Sequence, residues 1–599
     1  MPAEAPGKRL IVGIDYGTTF SGISYAMSTT TKPEDVNFVS GWGSRNRRYQ
    51  HELQVPSRIA YGETTEWGYG IQPGTTAYCW TKLLLDRHTE ITGFDDTEIL
   101  QKFEGPGLLR VPRGMTAQKV VRDYLAELYK FLMKTLEQKL SHSILAVTPI
   151  EFWITLPALW SVRADNATKD AAVEAGFGSR RGDSIHLIRE PEAAAIASIR
   201  SMNSRGSHPL IKPGNGVLVC DCGGGTVDLA SYQIQTVYPR LSLKQACVSK
   251  GGKCGSTTID RAFYKLMCDR FGSAFTELDS SKTGPNSKFM LDFEAIKRSF
   301  GESEYEQINR LTLKMDRAED SDYYSADDYE VILTDDELEA LFDPTVEKII
   351  SLLEQQVRAT RAEGSLRVSL TWPKLVVLVG GFGESLYLFR KLQSWCQAGN
   401  IELIAPNKSW EAICLGATLR GLEGNIVKEK RSRFHIGVEI AQTFRLGDDD
   451  EFSYIDAWTG EKMTRGFAQW IVNRGETIAT GMTKQTGELQ RNFTKYDTRK
   501  WSVSIYQSEL AVAPERIHDA GVKQIGNATA DLTAVDFSIF EAKHTYNSLF
   551  PSVGEQVWRA ELVFELVLDD DLGYMYFRAT CHGMVIGKTT LQFGDNEII

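Results

Sequence analysis

The feature that most restricts how this chain can fold is a glycine-turn hairpin written twice, once as IVGIDYGTTFSG from Ile11 and again as VLVCDCGGGTVDLASYQI from Val217. In each, an apolar strand ends in an aspartate, Asp15 or Asp221, immediately before a tight Gly/Thr turn. Glycine reaches positive φ without strain, so successive backbone N–H groups can converge on one concavity, and its missing Cβ lets an anion approach the main chain. Gly17, Gly223, Gly224 and Gly225 supply that backbone, and Thr18, Thr19 and Thr226 add hydroxyl donors. Asp15 and Asp221 are placed to hold a hydrated Mg²⁺ against phosphate oxygens. One such hairpin would be weak evidence; two predict duplicated halves closing on one polyphosphate.

A third segment, LVVLVGGFGESLYLFRKL from Leu375, repeats the order of strand, glycine break at Gly380 and Gly381, and helix. A fourth, IREPEAAAIASI from Ile188, has the small side chains needed where two lobes pack closely and hinge, with Glu190 as a carboxylate facing the cleft. These segments, in this order, resemble the actin, sugar-kinase and heat-shock-chaperone ATPase superfamily. GIDYGTTFSG, DCGGGTVDL and REPEAAAIAS are most similar to the seventy-kilodalton heat-shock (DnaK-type) chaperones, in a divergent cytosolic branch. The resemblance covers roughly residues 9 to 424 well and the remainder loosely.

The resemblance implies an α/β, two-lobed actin-like ATPase fold with duplicated ribonuclease-H-like halves, followed by a smaller all-β sandwich; the family carries a helical lid after that sandwich, and this sequence is read as lacking one. It implies ATP/ADP and Mg²⁺ as ligands, slow hydrolysis, and unfolded or extended polypeptide clients with cochaperones as partners. Matched position by position, Lys82 in CWTKLLLD would touch the transferred phosphate, Asp15 and Asp221 would hold Mg²⁺ through water, and Glu190 would orient the attacking water. Thr18 and Thr226 would bind phosphate oxygens beside Phe20. Asp228 either braces the second hairpin or caps backbone N–H groups. FEAIKRSFG resembles the adenosine-contacting helix, with Glu294, Lys297 and Arg298 on one face and Gly301 after it, although an ion pair without a ligand fits the same spacing.

Departures from the family pattern are as informative. Where its glycine turn carries a serine and, two positions on, an arginine that packs on adenine, this chain has Phe382 and Glu384. Losing that guanidinium removes about 1–2 kcal/mol of stacking energy unless Phe382 stacks instead. The family's nucleotide relay runs from a proline to an arginine eight residues later; Pro157 is present, but the later position is Asp165, with Arg163 in reach as a substitute. The apolar linker is replaced by Val427-Lys428-Glu429-Lys430-Arg431, which weakens the expected domain coupling.

The 599 residues exceed one core, so several domains are expected. The reading is a first lobe at 9–208 with an inserted irregular subdomain at about 41–114, and a second lobe at 209–424 with a helical insertion at about 251–364. A linker at 425–433 and a β-sandwich at 434–599 complete it. Val121, Leu125, Leu128, Leu132 and Leu136 predict the core stripe of a long helix capped by Thr116; Ile144–Val147 and Phe152–Leu156 read as strands, and 162–175 as a helix. The acidic run Asp316–Asp328 reads as a solvated loop, and FHIGVEI, WIVNRGETI, WSVSIYQSEL, DFSIF, AELVFELVL and YMYFRATC as strands. An edge strand of such a sandwich suits strand addition by an extended peptide.

A net charge of −11 argues against nucleic-acid binding, and no apolar run reaches membrane-span length. The amino terminus MPAEAPGKRL lacks an apolar signal core and the nine cysteines are scattered, so a reducing cytoplasmic or nuclear setting is expected. Cys220 and Cys222 read as core thiols, because alternation puts both on the strand face opposite Asp221. His51, His186 and His435 read as structural, Arg181-Gly182-Asp183 as incidental, and HGMVIGKTT as a hairpin whose glycine spacing is one short for a phosphate loop. Two rivals to the ATPase reading stay open, a nonhydrolysing nucleotide sensor or scaffold and a small-molecule kinase of the same superfamily.

Overall fold

Each hairpin seeds a sheet, and the two sheets have the same strand order. In the computed structural model, β1 (Leu10–Tyr16) pairs antiparallel with β2 (Phe20–Met27), setting Asp15 opposite Gly22. β1 also runs parallel to β3 (Ile150–Leu156), and β3 to β4 (Ser184–Arg189). In the second half β5 (Gly216–Cys222) pairs antiparallel with β6 (Val227–Thr236), and β7 (Leu375–Val379) and β8 (Glu402–Ile404) follow in parallel. The orders β2-β1-β3-β4 and β6-β5-β7-β8 are equivalent. The described residues are 8–42, 52–72, 74–86, 92–97, 109–204, 211–238, 240–302, 307–363, 373–406, 409–447, 452–456, 458–479, 481–547, 550–568, 575–581 and 583–589.

Parallel neighbours need crossovers, and helices supply them. α1 (Ala117–Leu140) leads into β3, with Thr116 accepting the Lys119 N–H and the five predicted apolar residues buried. α2 (Val162–Glu174) joins β3 to β4. α3 (Glu190–Ser204) follows β4. The second half carries α4 (Thr257–Phe271), α5 (Lys288–Ser299), α6 (Asp335–Glu363) and α7 (Leu386–Ala398), and α8 (Glu411–Glu423) follows β8 as α3 follows β4. These two equivalent helices cross in a shared core of Ala193, Ala194, Ala197, Ala412 and Ala417. A Cβ on Gly416 would lie 1.8 Å from the Ala193 carbonyl oxygen, so the crossing requires glycine. The alanine-rich run in α3 is thus the contact between the lobes that its small side chains predict.

Several elements differ from the sequence reading. Ile144–Val147 ends a short helix, His142–Val147, with Ile144 and Val147 exposed, because four apolar residues carry too little periodicity to separate strand from helix. The insertion at 251–364 holds a three-stranded sheet, Ile308–Thr312, Tyr324–Ser325 and Glu330–Thr334, as well as helices. The acidic run is pinned inside it by Tyr324, whose buried hydroxyl donates to the Leu313 carbonyl at 3.1 Å. Between 52 and 86 the expected irregular subdomain contains a small sheet of Thr65–Trp67, Arg58–Tyr61 and Tyr78–Cys79; His51 lies outside the described residues.

The chain divides into two units between Val427 and Lys428, inside the stretch read as a linker. That stretch contains β9 (Val427–Arg431), laddered antiparallel with Thr477–Ala479, because backbone pairing does not require apolar side chains. The C-terminal unit is β-rich. Ser453–Ile455, Lys462–Val472, His435–Thr443, Lys500–Ser508 and Val522–Asp531 form one antiparallel sheet, and a second is built on the long strand Phe550–Leu568. The two share a core that includes Ile436, Val438, Ile505, Ala528, Leu562, Phe564 and Phe577. DFSIF is a 3-10 turn, Phe537–Ile539, with the Asp536 side chain accepting the Ser538 N–H. Met575–Cys581 and Met584–Thr589 form the expected hairpin. No helix among the described residues is long and apolar enough to cross a membrane.

Candidate functional site

The two hairpin turns meet face to face. A Cβ on Gly224 would lie 2.4 Å from Thr19 Oγ1, and one on Gly225 would lie 2.5 Å from Thr18 Oγ1. The second turn is braced from behind by a segment that was absent from the sequence-predicted site. N–H groups of Gly255, Ser256 and Thr257 donate to the carbonyls of Gly225, Gly223 and Gly224 at 3.2, 3.1 and 2.8 Å. In a trans peptide the carbonyl of one residue and the N–H of the next point oppositely, so the N–H groups of Gly224, Gly225 and Thr226 face away from α4. Three consecutive donors on one side are an anion nest. Gly255 is obligatory there, since its Cβ would sit 2.5 Å from the Gly224 oxygen. The signal was present as GGKCGSTT from Gly251, a glycine turn at a helix start, but it follows no apolar strand of the kind that marked the hairpins.

Around the turns stand four buried carboxylates, Asp15, Asp221, Asp228 and Glu190, and one buried lysine, Lys82. Asp15 and Asp221 end β1 and β5, Asp228 lies opposite Asp221 in the ladder, and Glu190 opens α3. Lys82, in the 3-10 segment Thr81–Asp86, donates to Glu190 Oε1 at 2.7 Å. Its ammonium also lies 5.6 Å from the Tyr16 ring and 5.4 Å from the Trp160 ring, which desolvate the pair. Asp15 accepts the Thr155 hydroxyl at 3.1 Å. Burial first, then the Glu190 carboxylate, pushes Asp15 up to about 7 against the opposing pull of Lys82. Burial and Glu190 raise Asp228 to about 7 as well, although Thr226 and the Ala158 N–H hold it down. Asp221 rises well above the usual carboxylate range through burial and the charges of Glu190, Asp228 and Asp15. Mutual repulsion of this kind is what a bound cation relieves.

Two carboxylate oxygens in the cluster, Asp221 Oδ1 and Asp228 Oδ2, are buried without a hydrogen-bond partner among the described residues. Buried polar atoms are rarely left so, and oxygen-only donors suit a hard cation such as Mg²⁺. The donor set therefore fits that metal. Asp228 Oδ1 accepts the Ala158 N–H of the first lobe at 2.9 Å, a contact across the lobes rather than a cap within its own turn.

The relay position resolves differently from expectation. Arg163 is exposed, and it is Arg189, the residue before Glu190, that contacts Pro157 and Asp165. Its guanidinium donates to the Pro157 carbonyl at 2.9 Å and to both Asp165 oxygens at 2.8 and 2.5 Å. The Pro157-Ala158 peptide thus lies between Arg189 and Asp228.

At the predicted nucleoside end, α5 brings Glu294, Lys297 and Arg298 to one face as their spacing requires. They are already paired: Lys297 with Asp260 at 2.7 Å and with Glu294 at 2.5 Å, and Arg298 with Glu294 at 2.8 Å. Arg298 also stands 5.0 Å from the Phe20 ring, joining the lobes at the cleft mouth. Gly301, at φ +90°, packs on the Tyr387 backbone, and Gly380, at φ +85°, would put a Cβ 2.4 Å from Asp221 Oδ1. Gly381 is open. Phe382 is not a substitute stacking ring: it is 5% exposed and packs in the lobe core 6.2 Å from Phe342. Glu384 is exposed. Cys220 and Cys222 point into the core with their sulfurs 3.5 Å apart. Among the described residues no three or more His, Cys, Asp or Glu side chains are grouped to ligate a metal directly, so the carboxylates here would meet Mg²⁺ through water.

Comparison with known sequences decides the family. A family profile described as "Hsp70 protein" matches residues 113–420, just over half of the 599. The chain belongs to the Hsp70 family. Hsp70 membership implies an actin-like fold for this region and ATP binding in its cleft, and the matched span includes Glu190, Asp221, Asp228 and the glycine turn at 380–384. Human heat shock 70 kDa protein 12B is 24% identical over 608 aligned positions, covering 88% of this chain and 84% of its own length. Heat shock 70 kDa protein 12A of Mus musculus is 23% identical with similar coverage, 88% and 85%. A chaperone protein HscA homolog of Burkholderia thailandensis is 24% identical over 396 positions, covering 63% of this chain and 54% of its own length.

Proposed function

We propose that the N-terminal unit binds Mg-ATP between its lobes and hydrolyses it slowly, and that nucleotide state governs an interaction of the chain with extended polypeptide. The observation that carries this reading is the buried group of Asp15, Asp221, Asp228 and Glu190 around Lys82, with two carboxylate oxygens unpartnered among the described residues beside a backbone anion nest. Mg²⁺ would be held through water by Asp15 and Asp221, and when bound it neutralises charge on phosphate oxygens. Lys82 would donate to the transferred phosphate, and Thr18, Thr226 and the turn N–H groups would orient the others. Glu190 would position the attacking water once Lys82 turns from it to phosphate. Asp228 keeps the Pro157-Ala158 peptide in register with the clamp.

In the C-terminal unit the edge strands Val522–Asp531 and Met584–Thr589 lie against each other. We assign strand addition by a client to the other edge of the first sheet, Ser453–Ile455, where Ile455 is 63% exposed. The name of the HscA relative, a chaperone, supports this assignment.

A second reading, the nonhydrolysing sensor, is favoured by one observation: Glu190 is tied to Lys82 at 2.7 Å. Calorimetry with a nonhydrolysable ATP analogue tests binding, and single-turnover phosphate release separates the readings. Magnesium-dependent binding with turnover above buffer supports the ATPase; binding without turnover supports the sensor; neither overturns both. Release of ADP without free phosphate, and only with a small acceptor present, would support a kinase.

A further inference from the structure

The first-lobe segment that carries Lys82 is held at both ends by the second lobe. At its far end the Asp86 carbonyl accepts the Lys253 ammonium at 2.5 Å, while the Asp86 side chain accepts the Ser161 hydroxyl of its own lobe at 2.6 Å. Lys253 is buried, and its main chain is tied across the cleft as well. Its N–H donates to Asp95 Oδ1 at 2.9 Å, and its carbonyl accepts the Asp96 N–H at 3.1 Å. At the near end Trp80 has φ +58°, and its carbonyl accepts the Leu83 N–H at 3.1 Å, the bond that opens the 3-10 turn around Lys82. A bulky side chain stays in the left-handed region only where its surroundings fix it. Here the buried Arg261 of α4 lies 5.8 Å from the Trp80 ring and pairs with Asp96.

Lys253 stands two residues before Gly255, whose N–H, with those of Ser256 and Thr257, braces the anion nest. One run of chain, 253–257, therefore fixes both the nest and one end of the Lys82 segment. The two already touch, since a Cβ on Gly225 would lie 2.8 Å from the Leu83 side chain. A 3-10 turn of six residues is marginal by itself, so what grips its ends decides where Lys82 points. A charged donor on a buried carbonyl is a strong and directional grip.

Resting on the reading of Lys82 as the phosphate donor, we infer that Lys253 is a positioning residue for it. From the second lobe it sets the distance between the Lys82 ammonium and the nest, so that opening of the lobes at this contact withdraws Lys82. The test compares the unaltered full-length chain with Lys253→Met, which keeps the aliphatic stem and removes the donor. In the nucleotide-free chain, acylation of lysines by an N-hydroxysuccinimide ester, followed by mass spectrometry, reads how often the buried Lys82 is released. Lys82 should label at least fivefold faster in Lys253→Met, with Lys297, buried in its own ion pairs with Asp260 and Glu294, unchanged as the control for general loosening. Labelling of Lys82 within twofold of the unaltered chain, or a parallel rise at Lys297, overturns the inference. With Mg-ATP, Lys253→Met should keep the dissociation constant within threefold and lose at least tenfold in single-turnover hydrolysis. Added to Lys82→Met it should slow turnover no further, because it acts through Lys82. A further loss of more than threefold in that double variant overturns the inference. Absence of nucleotide binding or of turnover in the unaltered chain overturns the reading of the cleft instead, and the Lys82 labelling rates still decide whether Lys253 holds the segment.

Discussion

Replacing Lys82 by methionine tests whether the cleft is an electrostatically strained site. Methionine keeps the aliphatic stem against Tyr16 and Trp160, so little packing is lost. What disappears is the ammonium 2.7 Å from Glu190, in a pair whose side chains are 3% and 8% exposed. Breaking a buried pair by removing one partner costs about 3–5 kcal/mol, because the other charge is left uncompensated. Here Glu190 also raises the carboxyls of Asp15, Asp221 and Asp228, which puts the penalty toward the upper end. Glu190→Gln removes that repulsion and leaves Lys82 near Asp15 and Asp228, so it should cost about 1 kcal/mol or less. The double variant should recover about 2–3 kcal/mol relative to the sum of the singles.

The penalty should also depend on pH, with a definite sign. Asp15 and Asp228 have folded-state values near 7, above the unfolded 3.8, so their protonation stabilises the folded chain fully below about pH 4 and that contribution is lost as pH rises through 7. Lys82 holds both down; without it they bind protons more strongly. The Lys82→Met penalty should therefore be smaller at pH 5.5 than at pH 8. The measurement is urea unfolding of the full chain at both values, read on the transition that Asp15→Asn also moves. Single-variant costs that add to within about 0.5 kcal/mol, or a penalty equal at both pH values, would refute the reasoning.

Mg-nucleotide binding should release protons near neutrality and tighten from pH 6 to 8, because a cation draws Asp15 and Asp228 down from about 7; calorimetry in buffers of different ionisation enthalpy checks this, and zero proton release speaks against it. Gly255→Ala should weaken nucleotide binding at least tenfold, since its Cβ would fall 2.5 Å from the Gly224 oxygen and tilt the nest; Gly424→Ala, whose Cβ meets nothing within 4 Å, is the control for strain at a distant glycine. Glu190→Gln should retain ATP and lose at least tenfold in single-turnover hydrolysis, about 1.4 kcal/mol or more of transition-state stabilisation. Asp165→Ala should lower that same turnover about three- to tenfold without changing ATP affinity, because Arg189 then loses the partner that aims it at Pro157.

Local order explains what could be read without coordinates. The hairpins, the capped helix after Thr116 and the glycine turn at Gly380 were legible because backbone geometry and alternation are properties of a few consecutive residues. For the same reason Asp15, Asp221 and Glu190 could be named, each standing beside a recognisable strand, turn or helix start, whereas Lys82 came from the family resemblance. The short apolar run at Ile144–Val147 and the DFSIF segment misled, since four or five residues carry too little periodicity to exclude a helical turn.

What depends on residues far apart in the chain appeared only when the lobes came together. Gly255 behind Gly224, Asp228 holding the Ala158 N–H, and Arg189 bridging Pro157 and Asp165 are partnerships that no local pattern encodes. Phe382 looked available to a base from its place in the turn; its ring was claimed by Phe342, because burying an aromatic surface in the lobe core outweighs leaving it at a cleft edge. By itself the sequence determined which groups the cleft would contain. Only the tertiary structure decided their protonation, because burial and the approach of Glu190 to Asp15, Asp221 and Asp228 are set by how the two halves of the unit close.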